Sequence, residues 1–394
     1  MRIFALINQK GGCAKTTTAV NLSACLAHRG KRVLLIDLDP QGHASLALGI
    51  SPEEITRGMA SVLTQETAIE EVLIKERYPG LDLAPSNLRL AAFEQQLSGL
   101  PQREERLLWA LRQLQGNYDL IFIDAPPSLG LLSFNALRVA DEVLVPVDPS
   151  SFSVHGLSRL LETLDLLQAQ TGQAIGVRAV VTLFSRTRFS HEMLQMLNIC
   201  FTEPVAQRFR GGRYRAVIRA NVRLREAARH GIPIIFYDSN AIGAQDYEAL
   251  AQEILEGEEA ITQLVRQAAL RSPPGPCFLA GGVLFTWIGS DEVAIAGDFN
   301  DWVPDRKIYS ICADHPGEAR VQKWLPFVPT RSAYKLRING VWREDPFSQC
   351  TEASPFGGRN SLLEVKHSIA VSPLTERSPA AADEWSMAKT GDPN

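Results

Sequence analysis

Residues 9–18 read QKGGCAKTTT, lying between an apolar run, RIFALIN (2–8), and a helix-period segment, TTTAVNLSACLAHRG (16–30). A glycine-rich turn between a buried strand and a helix N-terminus points its backbone N–H groups inward, and the helix dipole adds partial positive charge there. That arrangement suits a phosphate cradle whose backbone comes from Gly11, Gly12, Cys13 and Ala14. Lys15 would lie on the β- and γ-phosphates, the Thr16 hydroxyl would take a Mg2+ position, and Thr17 would bond a phosphate oxygen. The ordinary spacing GxxxxGK[ST] is not met, because Gln9 stands at its first glycine and Ala14 at its second. What is met is KGGxxKTT, with an additional lysine, Lys10, at the loop's start. A methyl group at Ala14 restricts the backbone where glycine would leave it free.

Outward from this loop, residues 1–268 alternate short apolar runs with longer helical patterns, as a parallel sheet covered by helices requires. The strand candidates are 2–8, 32–39, 120–125, 142–148, 178–184 and 232–236, and the last helix runs over 244–270. The domain boundary is set at residue 270. RSPPGPC (271–277) reads as a Pro/Gly linker. Residues 278–366 then hold short alternating segments separated by Gly, Asn, Asp and Pro, the pattern of an antiparallel β-sandwich of immunoglobulin type. Residues 367–394 are rich in Ser, Ala, Pro and charge without an apolar period and are expected to be disordered. The fold class is therefore α/β, a P-loop NTPase with a mostly parallel sheet flanked by helices, plus a C-terminal β-sandwich.

Two carboxylate motifs accompany the loop: DLDPQGHAS (37–45) after the second strand, and YDLIFIDAPPSLG (118–130), in which Asp124 ends an apolar strand. A carboxylate in that place is costly unless it meets a cation. With KGGxxKTT these motifs resemble the ParA/MinD/Soj family of ATPases. The resemblance implies ATP and Mg2+ as cofactors, and slow hydrolysis by in-line attack of water, with the bound state acting as a switch. It implies that Lys10 reaches across a nucleotide-sandwich homodimer to the partner's phosphates. Asp39 would orient the attacking water, Asp37 would sit in the outer Mg2+ shell, and Asp124 beside the metal. The family usually has glycine where this chain has Ala14.

RFRGGRYRAVIRANVRLREAARH (208–230) carries eight arginines against one glutamate in a chain of net charge −4. Such a reversal suits phosphate contacts, or else a solvated face of paired charges. ANVRLREAARHG resembles a motif of Soj-like proteins, which implies non-specific DNA binding by Arg223; Arg186, in LFSRTRFS, falls where those proteins have another such arginine. Where the family often has Pro-Arg before this motif, the chain has Arg219-Ala220.

VAIAGDFNDW (293–302), AYKLRINGVWREDP (333–346) and FGGRNSLLEV (356–365) resemble the glycogen-binding module of AMP-activated kinase β-subunits and isoamylases. That resemblance implies Trp302 and Trp342 stacking on glucose rings, with Lys335 and Asn360 bonding hydroxyls; Trp324 and Trp287 are assigned to the core. Flat aromatic faces suit the apolar faces of pyranoses. Docking onto protein is the other use of such a sandwich.

Six scattered cysteines without a CxxC pair argue against a disulfide framework, a zinc site or the cluster of a nitrogenase-type iron protein. No stretch nears the ~20 apolar residues of a membrane span, and nothing near the start resembles a signal peptide. The expectation is a cytoplasmic, nucleoid-associated partitioning ATPase with a stimulating partner protein and a glucan-binding or docking adaptor. The other reading is a nucleotide-controlled glucan-binding regulator without DNA.

Overall fold

The computed structural model describes residues 1–364 apart from 115–117, 172–174, 201–210, 280–281, 301, 306–307, 312–318, 327–330, 349 and 356. The tail expected at 367–394, and Arg208 and Arg210 of the basic run, lie outside the described residues.

The N-terminal sheet consists of β1 (Arg2–Leu6), β2 (Val33–Asp37), β3 (Ile74–Tyr78), β4 (Leu81–Ala84), β5 (Leu120–Asp124), β6 (Glu142–Val147), β7 (Gly176–Phe184) and β8 (Gly212–Arg219). Their spatial order is β3-β4-β2-β5-β1-β6-β7-β8, parallel except for the antiparallel β3–β4 pair. β2, β5 and β6 are buried at every position, which is why they read as unbroken apolar runs.

Between the strands run α1 (Lys15–His28), α2 (His43–Ala47), α3 (Met59–Leu63), α4 (Phe93–Gln96), α5 (Arg106–Gln113), α6 (Leu131–Val139), α7 (Ser151–Thr171), α8 (Arg188–Cys200), α9 (Val222–Arg229), α10 (Ile234–Tyr237) and α11 (Ile242–Ala269). One core packs α5, α6 and α7 against the sheet through Leu107, Ala136 and Leu160. The other packs α1 and α11 against the opposite face through Leu22, Leu26, Tyr247 and Leu250.

Three segments depart from the sequence reading. The apolar run 232–236 is not a strand. It enters α10 behind Pro233, and the Ile234 N–H donates to the Asn21 side chain at 2.7 Å instead of to a ladder. The outer strand is β8, inside the basic run, where Tyr214 and Ile218 face inward between arginines. The β3–β4 ribbon was not read either, because β3 is a short, mostly exposed strand with four polar or aromatic side chains.

The C-terminal region forms two antiparallel sheets. One orders β12 (Tyr309–Ile311), β13 (Arg320–Leu325), β10 (Gly282–Ile288) and β9 (Gly275–Leu279). The other orders β11 (Val293–Gly297), β14 (Arg331–Ile338), β17 (Arg359–Glu364) and β16 (Cys350–Ala353), with β15 (Val341–Arg343) paired to β14. Phe285 and Leu325 of the first pack on Ile295, Tyr334, Leu336 and Leu363 of the second.

The first sheet's other face is also covered. Leu284 and Trp324 pack on Val265 and Ala269 of α11. The Gln322 amide donates to the Ala269 carbonyl at 2.8 Å, Arg320 to the Ser272 carbonyl at 3.0 Å, and the Tyr309 hydroxyl to the Met1 carbonyl at 2.7 Å. Ser272 is buried and Gly275–Cys277 belong to β9, so the Pro/Gly segment is built into the sandwich instead of hanging between two bodies.

Candidate functional site

In a parallel sheet the strands' C-terminal ends share one edge, and that is where α/β folds bind ligands. Here β1 delivers the glycine loop, β2 delivers Asp37 and Asp39, and β5 delivers Asp124. Asp37 and Leu6 are both register partners of Asp124. The three motifs, far apart in sequence, therefore meet.

The loop's backbone supports a cradle. Gly12 has φ of 75°, and a Cβ added at Gly11 or Gly12 would meet no atom within 4 Å, so the glycines border open space. Ala14, at the N-cap of α1, takes φ 65° and ψ 33°. That left-handed conformation costs a non-glycine residue about 1 kcal/mol, which explains why glycine is usual here. Thr182 of β7 fastens the loop by donating to the Cys13 carbonyl at 2.9 Å, and the Cys13 thiol donates to the Lys10 carbonyl at 3.2 Å. Burial raises the Cys13 thiol's pKa. Lys15 is buried, its ammonium folded back to the Lys10 carbonyl at 3.2 Å. Thr17 lies beside it on α1 and is half-buried.

The carboxylates divide into satisfied and unsatisfied groups. Asp37 accepts from the Ser45 N–H and hydroxyl, both at 2.8 Å, and from the Asp39 N–H at 3.2 Å. Asp39, also buried, accepts from the Gln41 N–H at 2.9 Å. Asp124 accepts from the Thr16 hydroxyl at 2.7 Å through Oδ2, while its buried Oδ1 has no partner. Burial, then the neighbouring Asp37 charge, pushes the Asp124 carboxyl well above the usual range; burial likewise raises Asp37. Paired buried carboxylates with one orphaned oxygen beside a threonine hydroxyl fit a hard divalent cation. Thr16 and Asp124 would hold it, with Asp37 behind. Bound there, Mg2+ would supply positive charge to phosphate oxygens.

Lys10 does not lie over the loop. Its ammonium bonds Asp148 at 2.5 Å and the Ser150 hydroxyl at 2.8 Å, at the end of β6. Sequence reasoning missed Asp148, although it follows a buried strand just as Asp124 ends one. It also missed Tyr247, whose hydroxyl lies 3.1 Å from that of Thr18, joining α1 to α11.

Arg186 and Arg223 emerge on the same edge. Arg186 follows β7 and is exposed; Arg223 opens α9 after β8, and the Ala220 N–H donates to the Phe184 carbonyl at 2.9 Å, tying the two loops together. Two other arginines of the basic run meet acids that α11 supplies from far along the chain. Arg219 bonds the buried Asp246, Arg215 pairs with Glu253 and Glu256, and Arg223 itself meets Glu226 at 2.8 Å and Asp238 at 3.7 Å.

In the sandwich, the strand register decides which side chains share a face. Tyr334 and Leu336 of β14 enter the core, so Lys335 and Arg337 point outward, and Trp342 sits opposite Arg337. Asn360 falls on the same outer face, two residues before Leu362, the partner of Ala333. Trp302 is tied to this sheet through Asp298, which accepts from the Trp302 indole at 3.0 Å and from the Ala333 N–H at 2.8 Å. Trp302 and Trp342 are 38% and 44% exposed, whereas Asn360 is 4% exposed with an unpartnered amide oxygen. The Lys335 ammonium lies 3.5 Å from the Gly357 carbonyl. Trp324 is buried at the contact with α11, and Trp287 is half-buried, donating to Asp291 at 3.2 Å. Among the described residues no helix is long and apolar enough to cross a membrane.

Known proteins resemble the N-terminal two thirds. Residues 1–177 match a family model described as an AAA domain. The chain is 42% identical over 253 residues to the sporulation initiation inhibitor protein Soj of Bacillus subtilis, covering 64% of this chain and 98% of Soj. It is 38% identical over 257 residues to the chromosome partitioning protein ParA of Myxococcus xanthus, covering 65% and 88%. Among solved structures it is similar to a cobyrinic acid a,c-diamide synthase of Mycobacterium smegmatis with bound ATP analog and magnesium, at 32% identity and a TM-score of 0.55 over 66% of this chain and 96% of that one. The septum site-determining protein MinD of Pyrococcus horikoshii, complexed with Mg-ADP, shares the fold at 23% identity and a TM-score of 0.50, over 64% and 95%.

Proposed function

We propose that this chain, which belongs to the ParA/Soj family of partitioning ATPases, works as an ATP-dependent dimerising switch that positions a cargo. The carboxylate of Asp124, bonded to Thr16 through Oδ2 and left with an unpartnered Oδ1 at the same sheet edge as the glycine loop, is the observation that carries this reading. ATP would lie with its phosphates on Gly11–Thr17, with Lys15 neutralising charge and Asp39 orienting water for in-line attack. Lys10, held by Asp148 in the single chain, would exchange that carboxylate for the phosphates of a second copy. Arg186 and Arg223 would then meet DNA phosphates, with a stimulating partner protein setting hydrolysis. Chromosome or plasmid partitioning is the default cargo, and a glucan or envelope polysaccharide the sharper one. Trp342 and Lys335 on the outer side of the β14–β15 pair, and the exposed Trp302 tied to that sheet through Asp298, support the latter.

Gel filtration of Asp39→Ala with and without ATP tests the switch. A monomer-to-dimer shift is expected, absent in Lys10→Ala; a monomer in both conditions removes the role given to Lys10.

A second reading, nucleotide-controlled glucan binding without DNA, is favoured by the acids that engage Arg215, Arg219 and Arg223. Retention on DNA with ATP, falling with salt and lost in Arg223→Glu, separates the two. If DNA is never retained, the second reading stands.

A further inference from the structure

We infer that nucleotide-driven pairing makes this chain bivalent toward a glucose polymer, so that ATP controls avidity for the polymer while each sandwich keeps its own affinity. The inference rests on the proposed dimer and the proposed sugar face. What it adds comes from how the two regions are joined.

The nucleotide loops occupy the C-terminal edge of the sheet, whereas the sandwich meets the opposite edge. Tyr309 bonds the carbonyl of Met1, immediately before β1. That hydroxyl lies near Arg2 at the start of β1, Asp141 just before β6, and Glu258 of α11, which pairs with Arg2. β1 spans five residues, so roughly 17 Å of strand separates this contact from the glycine loop. α11 runs the same way. Its first half meets α1 through Tyr247 and Thr18, and its last turns carry Val265 and Ala269 into the sandwich.

The docking is also specific about which face is used. The β12-β13-β10-β9 sheet is covered on both sides, by the partner sheet and by α11. The face bearing Trp342 and Lys335 belongs to the other sheet, whose opposite side packs on the covered one, so it points away from the ATPase; the exposed Trp302 is tied to the same sheet through Asp298. The connection is braced: Ser272 accepts from Arg320, its hydroxyl lies 3.2 Å from that of Thr286, and the Gln322 amide donates to the Thr286 hydroxyl at 3.1 Å. Two copies meeting through their nucleotide edges therefore hold two sugar faces at remote poles, neither blocked by the pairing. Neither face touches the nucleotide site, so its intrinsic affinity has no contact through which to change. A polymer long enough to engage both faces gains from effective concentration; a short oligosaccharide does not.

Full-length Asp39→Ala, with ATP or ADP, is titrated with maltoheptaose by tryptophan fluorescence and co-sedimented with glycogen, its assembly followed by gel filtration. The expected result is a maltoheptaose affinity equal in both nucleotides and an apparent glycogen affinity at least about tenfold higher with ATP. Lys10→Ala should bind maltoheptaose normally and gain nothing with ATP. Equal glycogen binding by a protein shown to be dimeric overturns the inference while leaving its premises intact. A maltoheptaose affinity that changes with nucleotide overturns it in favour of direct coupling. No maltoheptaose binding in any state, or no dimer, shows instead that the underlying reading has failed, and the inference falls with it.

Discussion

The two regions each hold a non-glycine residue in the left-handed backbone region at their candidate site, Ala14 at φ 65° and Trp302 at φ 59°. They use it differently. At Ala14 the conformation belongs to the loop, which needs it to turn N–H groups inward; the methyl adds only strain. At Trp302 the side chain is the purpose. Its N–H donates to the Gly297 carbonyl at 2.9 Å and its indole to Asp298, so the turn holds a large ring half in water. Strain persists where surrounding contacts over-determine it. In one region it is incidental to the loop, and in the other it presents the ring.

Substitutions at these sites should separate the cases. The largest effect is expected at the ATPase site, where Asp124→Asn should lower ATP turnover by at least about 100-fold. The same variant carries a pH signature. Asp124 and Asp37 titrate above their ordinary value of 3.8 when folded, so the folded chain holds protons that the unfolded chain releases. Stability of the nucleotide-free protein should thus fall as pH rises above that value, and urea midpoints between about pH 5 and about pH 8 should decline less in Asp124→Asn. A wild-type midpoint that rises over that range would contradict the assignment.

Trp302→Gly comes next. It relieves the backbone but removes the ring, so the protein should unfold no earlier while maltoheptaose affinity drops by about tenfold. Unchanged affinity would return the sandwich to a docking role. Smallest is Ala14→Gly, expected to stabilise by about 1 kcal/mol, or about 2–4 °C in Tm, with ATP binding kept. A loss of stability would mean that the methyl packs usefully, and the comparison would fail.

Much of the nucleotide site was legible because its signals are local. Loop, strand and helix N-terminus are contiguous in QKGGCAKTTT, and Asp124 announces itself as a carboxylate ending an apolar strand. The basic run was legible only in part, because some of its partners are not local: α11 brings Asp246 to Arg219, and Glu253 and Glu256 to Arg215. The run 232–236 misled for a related reason: a short apolar stretch fits a strand or a buried turn of helix equally, and only the Asn21 side chain waiting for the Ile234 N–H decides between them.

By itself the sequence determined the α/β order, the phosphate loop, and the alternating texture of a second, β-rich region, since each depends on hydrophobic period or residue type at fixed spacing. The tertiary structure alone decided what those pieces face. It put Lys10 on Asp148, seated the Pro/Gly segment in a sheet, and placed the sandwich at the pole opposite the loop. These are contacts between residues as much as 308 positions apart, Met1 and Tyr309 among them, and no local pattern encodes a partner that only chain packing brings within reach.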